Sequence, residues 1–210
     1  MTAGKRLFDF SVAIFLLVLF LPVLAVLGCW MLMTQGRPVF YVSERMRAPG
    51  QVFRLIKLRT MESVAEPNNT GVSGGDKSVR ITPAGRFLRR ARLDEVPQLL
   101  NVIAGDMSFV GPRPPLRVYV EDYPELYRRV LACRPGITGL ATLVFHAHEE
   151  RLLARCTTPA QTDALYRRRC IPRKARLDLI YRKNRSIALD LWILTKTAQK
   201  LVRGTRKRGN

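Results

Sequence analysis

The sequence predicts an α+β fold that is mainly helical, with an apolar N-terminal segment and one short β-hairpin. Residues 10–33 contain no charged side chain, which predicts a long helix able to cross a hydrocarbon core of ~30 Å. β-branched and aromatic residues at 39–42 and 52–55 flank a turn at 48–50, which predicts the hairpin. Thr82-Pro83 and Thr158-Pro159 each combine a capping residue with a proline suited to the first helical position.

The apolar segment allows two arrangements in a membrane. Pro22 near its middle removes a helical hydrogen bond and favours a kink. The first arrangement is therefore a re-entrant helix–break–helix with its break at Pro22. It keeps the basic residues on both sides, among them Lys5, Arg6 and Arg37, on the same face of the membrane. The alternative is a straight spanning helix that tolerates the proline.

The remaining elements follow in order along the chain. After the hairpin, residues 62–80 are polar and glycine-bearing, which predicts a loop. Helices are predicted over 83–93, 97–103 and 119–132, then from 159. The last helix, over 185–203, carries an apolar stripe and a basic end, which suits either a membrane interface or packing against the core. We expect an anchor over 1–36 and a folded domain over 37–210.

Composition narrows the class of protein. There are 36 Lys and Arg against 16 Asp and Glu, a net charge of +20, and 47% of residues are hydrophobic. The apolar content excludes a disordered basic tail. The charge predicts a polyanionic neighbour: nucleic acid, anionic lipid or a phosphate-bearing substrate. The four cysteines have no C-x-x-C spacing, which predicts free thiols.

Asp94-Glu95 is the leading candidate for catalysis, because carboxylates are scarce and this adjacent pair lies among arginines. If the helix over 83–93 continues, Arg90 lies four residues before Asp94 on the same face. We expect these arginines to keep Asp94 ionised, as a nucleophile or metal ligand must be. The alternative is an ordinary surface ion pair, contributing at most ~1 kcal/mol.

Basic residues that could bind phosphate lie elsewhere in the chain. In Gly111-Pro112-Arg113-Pro114-Pro115, prolines flank one guanidinium and reduce the entropy it loses on gripping a phosphate. Lys57 and Arg59 alternate on a predicted strand and share a face. The alternative for the proline-rich block is a structural turn. No Walker loop, G-x-G-x-x-G or H-E-x-x-H motif is present.

A series of short blocks occurs in a specific order: Lys5-Arg6-Leu7-Phe8-Asp9, Lys57-Leu58-Arg59-Thr60-Met61, Thr82-Pro83-Ala84-Gly85-Arg86, Leu93-Asp94-Glu95-Val96-Pro97, Gly111-Pro112-Arg113-Pro114 and Arg134-Pro135-Gly136-Ile137-Thr138-Gly139. Together they resemble the bacterial sugar transferase family of small monotopic phosphoglycosyl transferases, over nearly the whole chain. Each block alone is weak, but their order and spacing are specific.

The resemblance implies transfer of a sugar-1-phosphate from a UDP-sugar to a polyprenyl (undecaprenyl) phosphate, with release of UMP, as the first membrane step of exopolysaccharide, O-antigen or glycoconjugate synthesis. It implies that Asp94 forms a covalent phosphosugar intermediate and that Glu95 assists as metal ligand or base, with Mg²⁺ as cofactor held by both. It also implies the re-entrant hairpin and a place on the cytoplasmic face of the bacterial inner membrane. Membrane lipids are expected partners, a homodimer is allowed, and nucleic acid is not expected. The implied phosphate and nucleotide ligands are Lys57, Arg59, Arg89, Arg113 and His146.

Two departures from the family pattern are visible. His146 stands where the family usually has a nucleotide-contacting arginine, and Leu21 replaces the usual serine before Pro22. The competing hypothesis is a non-catalytic, membrane-tethered basic protein that binds anionic lipid or nucleic acid. That hypothesis accounts for the charge but not for Asp94-Glu95 or the rigid Arg113 turn.

Overall fold

The computed structural model describes residues 2–62, 72 and 74–206, and their fold is mainly helical, as predicted. The helices and strands are α1 Ala3–Gln35, β1 Phe40–Ala48, β2 Gln51–Leu58, α2 Pro83–Ala91, α3 Gln98–Ala104, β3 Ser108–Val110, α4 Arg117–Asp122, α5 Pro124–Val130, β4 Gly136–Thr138, α6 Leu140–Leu153, α7 Pro159–Leu165, α8 Ile171–Asn184 and α9 Ile187–Arg206. Short 3₁₀ turns cover Gly75–Arg80 and Leu93–Glu95, and a π turn covers Tyr166–Cys170.

The predicted hairpin is confirmed. β1 and β2 pair antiparallel, with Tyr41 opposite Lys57 and Arg45 opposite Phe53. The turn uses Gly50 at φ +74°, a left-handed conformation that glycine adopts without steric cost. Because side chains alternate along a strand, this register places Lys57 and Arg45 on the same face of the hairpin.

A second, smaller sheet was not predicted: β3 and β4 pair in parallel over three residues each. The backbone N–H of Gly111 donates to the carbonyl of Thr138 at 2.9 Å. A Cβ at Gly111 would lie 2.2 Å from the Arg134 carbonyl oxygen, so only glycine fits there. This contact joins the two proline-rich turns and fixes the segment that carries Arg113.

α1 is continuous through Pro22, so the predicted break into two helices is not confirmed. A single proline removes only its own N–H from the helical ladder, and the turns on either side continue. Within the described ranges, α1 is the one helix long and apolar enough to cross a membrane, and little of its apolar window is buried. Its middle is exposed, with Val18 at 67% and Leu21 at 60%.

The first turns of α1 are bound to the rest of the protein. The Arg6 guanidinium donates to the carbonyls of Val102 and Ile103 at 2.6 and 2.7 Å, at the C-terminal end of α3. Asp9 is fully buried and accepts a hydrogen bond from the Ser108 hydroxyl on β3 at 2.7 Å. These contacts anchor the beginning of the apolar segment.

The last turns of α1 contact the same body. Leu27 and Met31 are buried against Leu58 and Leu88. The Arg59 guanidinium donates to the carbonyl of Gln35 at 2.5 Å and to those of the next two residues. A cation at these carbonyls satisfies groups that the helix end leaves free. Both ends of α1 are therefore held by one folded unit.

Most other predicted elements are present with small changes. The helix predicted over 119–132 is split into α4 and α5 at Tyr123. α9 buries Ile193 in the core and exposes Leu191 and Trp192. Residues 63–71 and 73 of the predicted loop and 207–210 of the basic end lie outside the described residues. All four cysteines are free, as predicted, and Cys29 is exposed.

Asp178 on α8 allows a stability test away from the candidate site. It is buried at 5% exposure, and its Oδ1 has no hydrogen-bond partner among the described residues. Burial, with a smaller contribution from Glu149, raises the pKa of Asp178 to about 7 against the opposing effect of Lys174. Because the folded-state pKa is raised, its protonated form stabilises the fold at low pH, and this contribution is lost as pH rises from about 4 to about 7.

We therefore expect Asp178→Asn to raise the Tm strongly at pH 8 and much less at pH 4.5, because the amide needs no proton to stay neutral. Thermal unfolding in detergent at the two pH values measures this. A Tm that falls equally at both values would show that the carboxylate makes a stabilising contact instead.

Candidate active site

The Asp94-Glu95 pair lies on the 3₁₀ turn Leu93–Glu95, between α2 and α3. α2 begins at the cap formed by the Thr82 hydroxyl, which accepts the Gly85 N–H at 2.9 Å, and ends at Ala91. Arg92 then adopts a left-handed conformation with φ 58°. The prediction that one helix runs to 93, with Arg90 and Asp94 on one face, is therefore wrong, because the chain turns at Arg92.

Glu95 is the centre of a buried ion-pair cluster. Its Oε1 accepts hydrogen bonds from Lys57 Nζ at 3.1 Å and from Arg113 Nη2 at 2.7 Å. Burial alone would raise the pKa of Glu95, but Arg113 and Lys57 hold it well below its usual range. Glu95 is thus a fixed anion that positions two cations beside Asp94.

Asp94 is buried at 6% exposure, and its Oδ1 has no hydrogen-bond partner among the described residues. Burial and the neighbouring Glu95 raise the pKa of Asp94, and Lys57, Arg89 and Arg92 only partly oppose this. The expectation that arginines alone settle its ionisation is therefore corrected, because desolvation outweighs them. Asp94 is therefore a carboxylate whose negative charge the protein stabilises little and whose Oδ1 makes no hydrogen bond to a described residue.

A further arginine, Arg89, lies near the pair. Arg89 Nε donates to the Thr60 hydroxyl at 2.8 Å. A Cβ at Gly85 would lie 2.0 Å from the Thr60 carbonyl oxygen, so this glycine lets α2 approach the end of the hairpin. The close approach explains why the block at 57–61 and the block at 82–86 meet at one site.

His146 reaches the same site from α6. Its Nε2 lies 2.5 Å from Arg92 Nη2. Burial, then Arg92 and Arg113, lower the pKa of His146 to about 3. The imidazole is therefore neutral at physiological pH and accepts from Arg92, so its 3.3 Å contact with Glu150 is not an ion pair. The structure places His146 beside the site, bound to an arginine.

Arg59, predicted to share a face with Lys57 at the phosphate site, is placed elsewhere. β2 ends at Leu58, so the alternation of side chains does not continue to Arg59. Its guanidinium is occupied by carbonyls at the C-terminal end of α1. Thr60 and Arg45 were not predicted as site residues, and the face on which Arg45 lies depends on the register shift between Met46 and Ala48.

The charges of the cluster suit a phosphate ligand. Lys57, Arg89, Arg92 and Arg113 surround two carboxylates, which leaves an excess of positive charge in a partly buried place. Within the described ranges no group of three or more His, Cys, Asp or Glu is arranged to hold a metal. A magnesium ion needs only one or two carboxylates when substrate phosphates complete its shell, and the unpartnered Oδ1 of Asp94 fits that requirement.

A family model described as bacterial sugar transferase matches residues 1–204. The chain belongs to the bacterial sugar transferase family. Membership makes it a transferase, and it gives a reason for the geometry above. The sequence blocks typical of this sugar transferase family meet in space: Lys57 and Arg113 both bind Glu95.

Curated relatives extend the comparison. The chain is 38% identical over 202 residues to the "uncharacterized sugar transferase EpsL" of Bacillus subtilis (strain 168), covering 94% of this sugar transferase and 87% of EpsL. It is 33% identical over 199 residues to the UDP-glucose:undecaprenyl-phosphate glucose-1-phosphate transferase of Klebsiella pneumoniae, covering 93% of this chain and 39% of that protein. It is 31% identical over 205 residues to the UDP-N-acetylgalactosamine-undecaprenyl-phosphate N-acetylgalactosaminephosphotransferase of Aeromonas hydrophila, covering 95% of this chain and 44% of that protein. The chain thus spans less than half of the latter two relatives.

Proposed function

We propose that this protein transfers a sugar-1-phosphate from a UDP-sugar to a polyprenyl phosphate, with release of UMP, in polysaccharide synthesis. The observation that carries the proposal is the free, buried Oδ1 of Asp94 beside a carboxylate that holds two cations. The names of the Klebsiella and Aeromonas relatives, which specify UDP-sugars and undecaprenyl phosphate, support the substrate classes.

The reaction proceeds in two displacements at one phosphorus. A carboxylate oxygen of Asp94 forms a bond to the β-phosphorus of the donor, and the bond from that phosphorus to the bridging oxygen breaks, so UMP leaves with the electron pair. An oxygen of the polyprenyl phosphate then attacks the same phosphorus and releases Asp94. The division into two steps lets a water-soluble donor and a lipid acceptor use the site in turn.

Each residue of the cluster has a task in this scheme. Lys57 and Arg113, held by Glu95, neutralise the charge that spreads over the phosphoryl oxygens during transfer. Arg89 on α2 lies within electrostatic reach of the Asp94 carboxylate. Burial leaves the negative charge of Asp94 poorly stabilised, and its Oδ1 has no hydrogen-bond partner among the described residues. Attack on phosphorus therefore breaks no hydrogen bond at this oxygen.

A magnesium ion, when bound, would supply charge neutralisation on the donor's phosphates. Asp94 and Glu95 are the residues that would hold it, together with those phosphates. Glu95 Oε1 is already taken by Lys57 and Arg113, which leaves its second oxygen and the carboxylate of Asp94.

We further propose that residues 1–36 form a re-entrant anchor and that residues 37–210 form a catalytic domain on the cytoplasmic face. Both ends of α1 contact the same domain, through Arg6 at one end and Arg59 at the other. A spanning helix would have to break one set of these contacts. The exposed ring of Phe87 on α2 packs against Trp30 of α1, which supports a site close to the proposed membrane anchor.

The topology is tested by placing single cysteines at Thr2 and Thr34, which lie at the two ends of α1 and are exposed, in a Cys29→Ser background. We expect a membrane-impermeant maleimide to label both from the cytoplasmic side of inverted vesicles and neither in intact cells. Labelling of the two positions from opposite sides would establish a spanning helix and contradict the re-entrant anchor.

The activity itself is tested by a screen for UMP release. The purified full-length protein in detergent is given a polyprenyl phosphate and, one at a time, a panel of UDP-sugars. We expect one or a few donors to release UMP in proportion to the lipid-linked sugar formed. Absence of release from every donor, together with tight and strongly salt-dependent nucleic-acid binding, would favour the non-catalytic basic protein instead.

A further inference from the structure

Arg45 is a partly buried arginine on the hairpin that the mechanism above does not use. It lies on β1 opposite Phe53, on the face that also carries Lys57 and Ser43. Glu95 is bound to Lys57 at one end of this face, so the hairpin leads from the candidate catalytic pair toward Arg45. The two strands of the hairpin therefore link the Asp94-Glu95 pair with Arg45.

Two polar groups on this face are buried without a partner. Arg45 Nε and Ser43 Oγ have no hydrogen-bond partner among the described residues, and Arg45 forms no ion pair there. The arginines of the catalytic cluster differ in this respect: Arg113 is bound to Glu95, Arg89 to Thr60 and Arg92 to His146. Buried polar groups are nearly always hydrogen-bonded, so donors left free on a shared face point to a ligand that is an acceptor.

The surroundings of Arg45 increase the need for an anion. Its pKa is lowered by burial and then by the like charge of Arg113. Arg113 itself binds Glu95 at 2.7 Å. Arg113 thus binds Glu95 and also lies within electrostatic reach of Arg45, which forms no ion pair with a described residue.

The position of Arg45 also tells which phosphate it would meet. Tyr119 and Tyr166, which lie within electrostatic reach of Arg45, belong to the hydrophobic cluster formed with α4, α5, α6 and α8. The contact between α1 and α2, in which Leu27 packs with Leu88, belongs to a different cluster. Arg45 thus lies near a different cluster from the one that holds the α1–α2 contact, which favours contact with the water-soluble donor over the lipid acceptor.

We propose that Arg45, assisted by Ser43, binds the phosphate that is not transferred, the α-phosphate of the nucleoside diphosphate donor. This inference rests on the proposed function and adds to it a residue that recognises the leaving nucleoside monophosphate. Arg113 then bridges the two phosphates of the donor, with the transferred one toward Asp94 and the retained one toward Arg45. The guanidinium also stabilises the charge that the departing UMP gains when the bridging bond breaks.

The test is equilibrium binding of UMP, and separately of uridine, to the full-length protein in detergent. We expect Arg45→Gln to weaken UMP binding by about tenfold to a hundredfold, because a hydrogen-bonded charge pair is lost. Uridine, which lacks the phosphate, is expected to bind the variant as it binds the wild type. Arg45→Lys is expected to fall between the two, since it keeps the charge but loses the fork of donors.

A matched control comes from the same hairpin. Arg54 lies on β2 with its side chain exposed on the opposite face, so Arg54→Gln removes the same charge and should leave UMP affinity unchanged. A structural role for Arg45 is checked by thermal unfolding. Because no described residue hydrogen-bonds or ion-pairs with Arg45, Arg45→Gln should not lower the Tm.

Each outcome decides something. UMP affinity unchanged in Arg45→Gln, or UMP and uridine weakened equally, would overturn the assignment of Arg45 to the phosphate. A wild-type protein that releases UMP from a UDP-sugar while Arg45→Gln keeps the wild-type affinity would reject the Arg45 assignment and leave the proposed function intact. A wild-type protein that neither binds nor releases UMP would instead reject the proposed function.

Discussion

Asp94→Asn is expected to abolish UMP release from the UDP-sugar donor, with a loss of turnover of at least about 10³-fold. The amide has nearly the shape of the carboxylate, but it carries no anionic oxygen to attack phosphorus. The structure also predicts that the variant stays folded. Burial and Glu95 raise the pKa of Asp94, so the charged form is not stabilised by the fold and its removal costs no stability.

The measurement is UMP release under saturating donor and acceptor, with thermal unfolding as the test of integrity. Asp178→Asn is a matched control, because it makes the same change at another buried aspartate whose pKa is raised by burial, on α8. We expect that control to retain wild-type turnover. Turnover near the wild-type level in Asp94→Asn would remove Asp94 from the role of nucleophile.

Glu95→Gln is expected to reduce both turnover and stability, in contrast to its neighbour. Lys57 and Arg113 both bind Glu95 Oε1, and an uncharged amide cannot hold two cations in contact. The loss of turnover is expected to be about 10²- to 10³-fold, as for loss of a preorganised electrostatic group. The free energy of unfolding should fall by up to about 3 kcal/mol, an amount limited by the partial exposure of Arg113.

Turnover and chemical unfolding of the same preparations measure these effects. Glu125→Gln is the control, since Glu125 forms an exposed ion pair with Arg128 and its loss should matter little. If Glu95→Gln keeps wild-type stability, the ion-pair cluster does not hold the site together. If it keeps wild-type turnover, the positioning of Lys57 and Arg113 is not needed for the reaction.

Local sequence signals predicted the elements that depend on local chemistry. The turn at Pro49-Gly50 and the cap at Thr82-Pro83 were found because their side chains act within a few residues. The scarcity of carboxylates identified Asp94-Glu95, and the prolines around Arg113 identified a rigid turn. These residues then meet in space, since Arg113 binds Glu95.

Features that depend on distant packing could not be predicted in the same way. β3 and β4 are three residues long and flanked by glycine and proline, so neither has a recognisable strand pattern. The left-handed Arg92 ends α2 early and places Asp94 on a 3₁₀ turn instead of a helical face. Arg59 is bound by the end of α1, a segment far from it in the chain.

The direction of the pKa shift of Asp94 also depends on packing and could not be predicted from the sequence. The surrounding arginines are visible in the sequence, but the burial that outweighs them is a property of the packed structure. Arg45 is an intermediate case. The turn at Pro49-Gly50 predicts the hairpin, but unbroken alternation from it would put Arg45 opposite Arg54, on the other face from Lys57. The register shift between Met46 and Ala48 puts Arg45 and Lys57 on one face, and the structure also shows that Arg45 Nε is buried and unpartnered among the described residues.

The central claim is that phosphorus becomes covalently bonded to Asp94 during turnover. The most direct measurement is mass spectrometry of the protein quenched in acid after incubation with the donor alone, followed by digestion. We predict that the peptide containing Asp94 gains the mass of one sugar phosphate, and that addition of polyprenyl phosphate before quenching removes it. A protein that catalyses transfer while this peptide never carries the added mass would contradict the account.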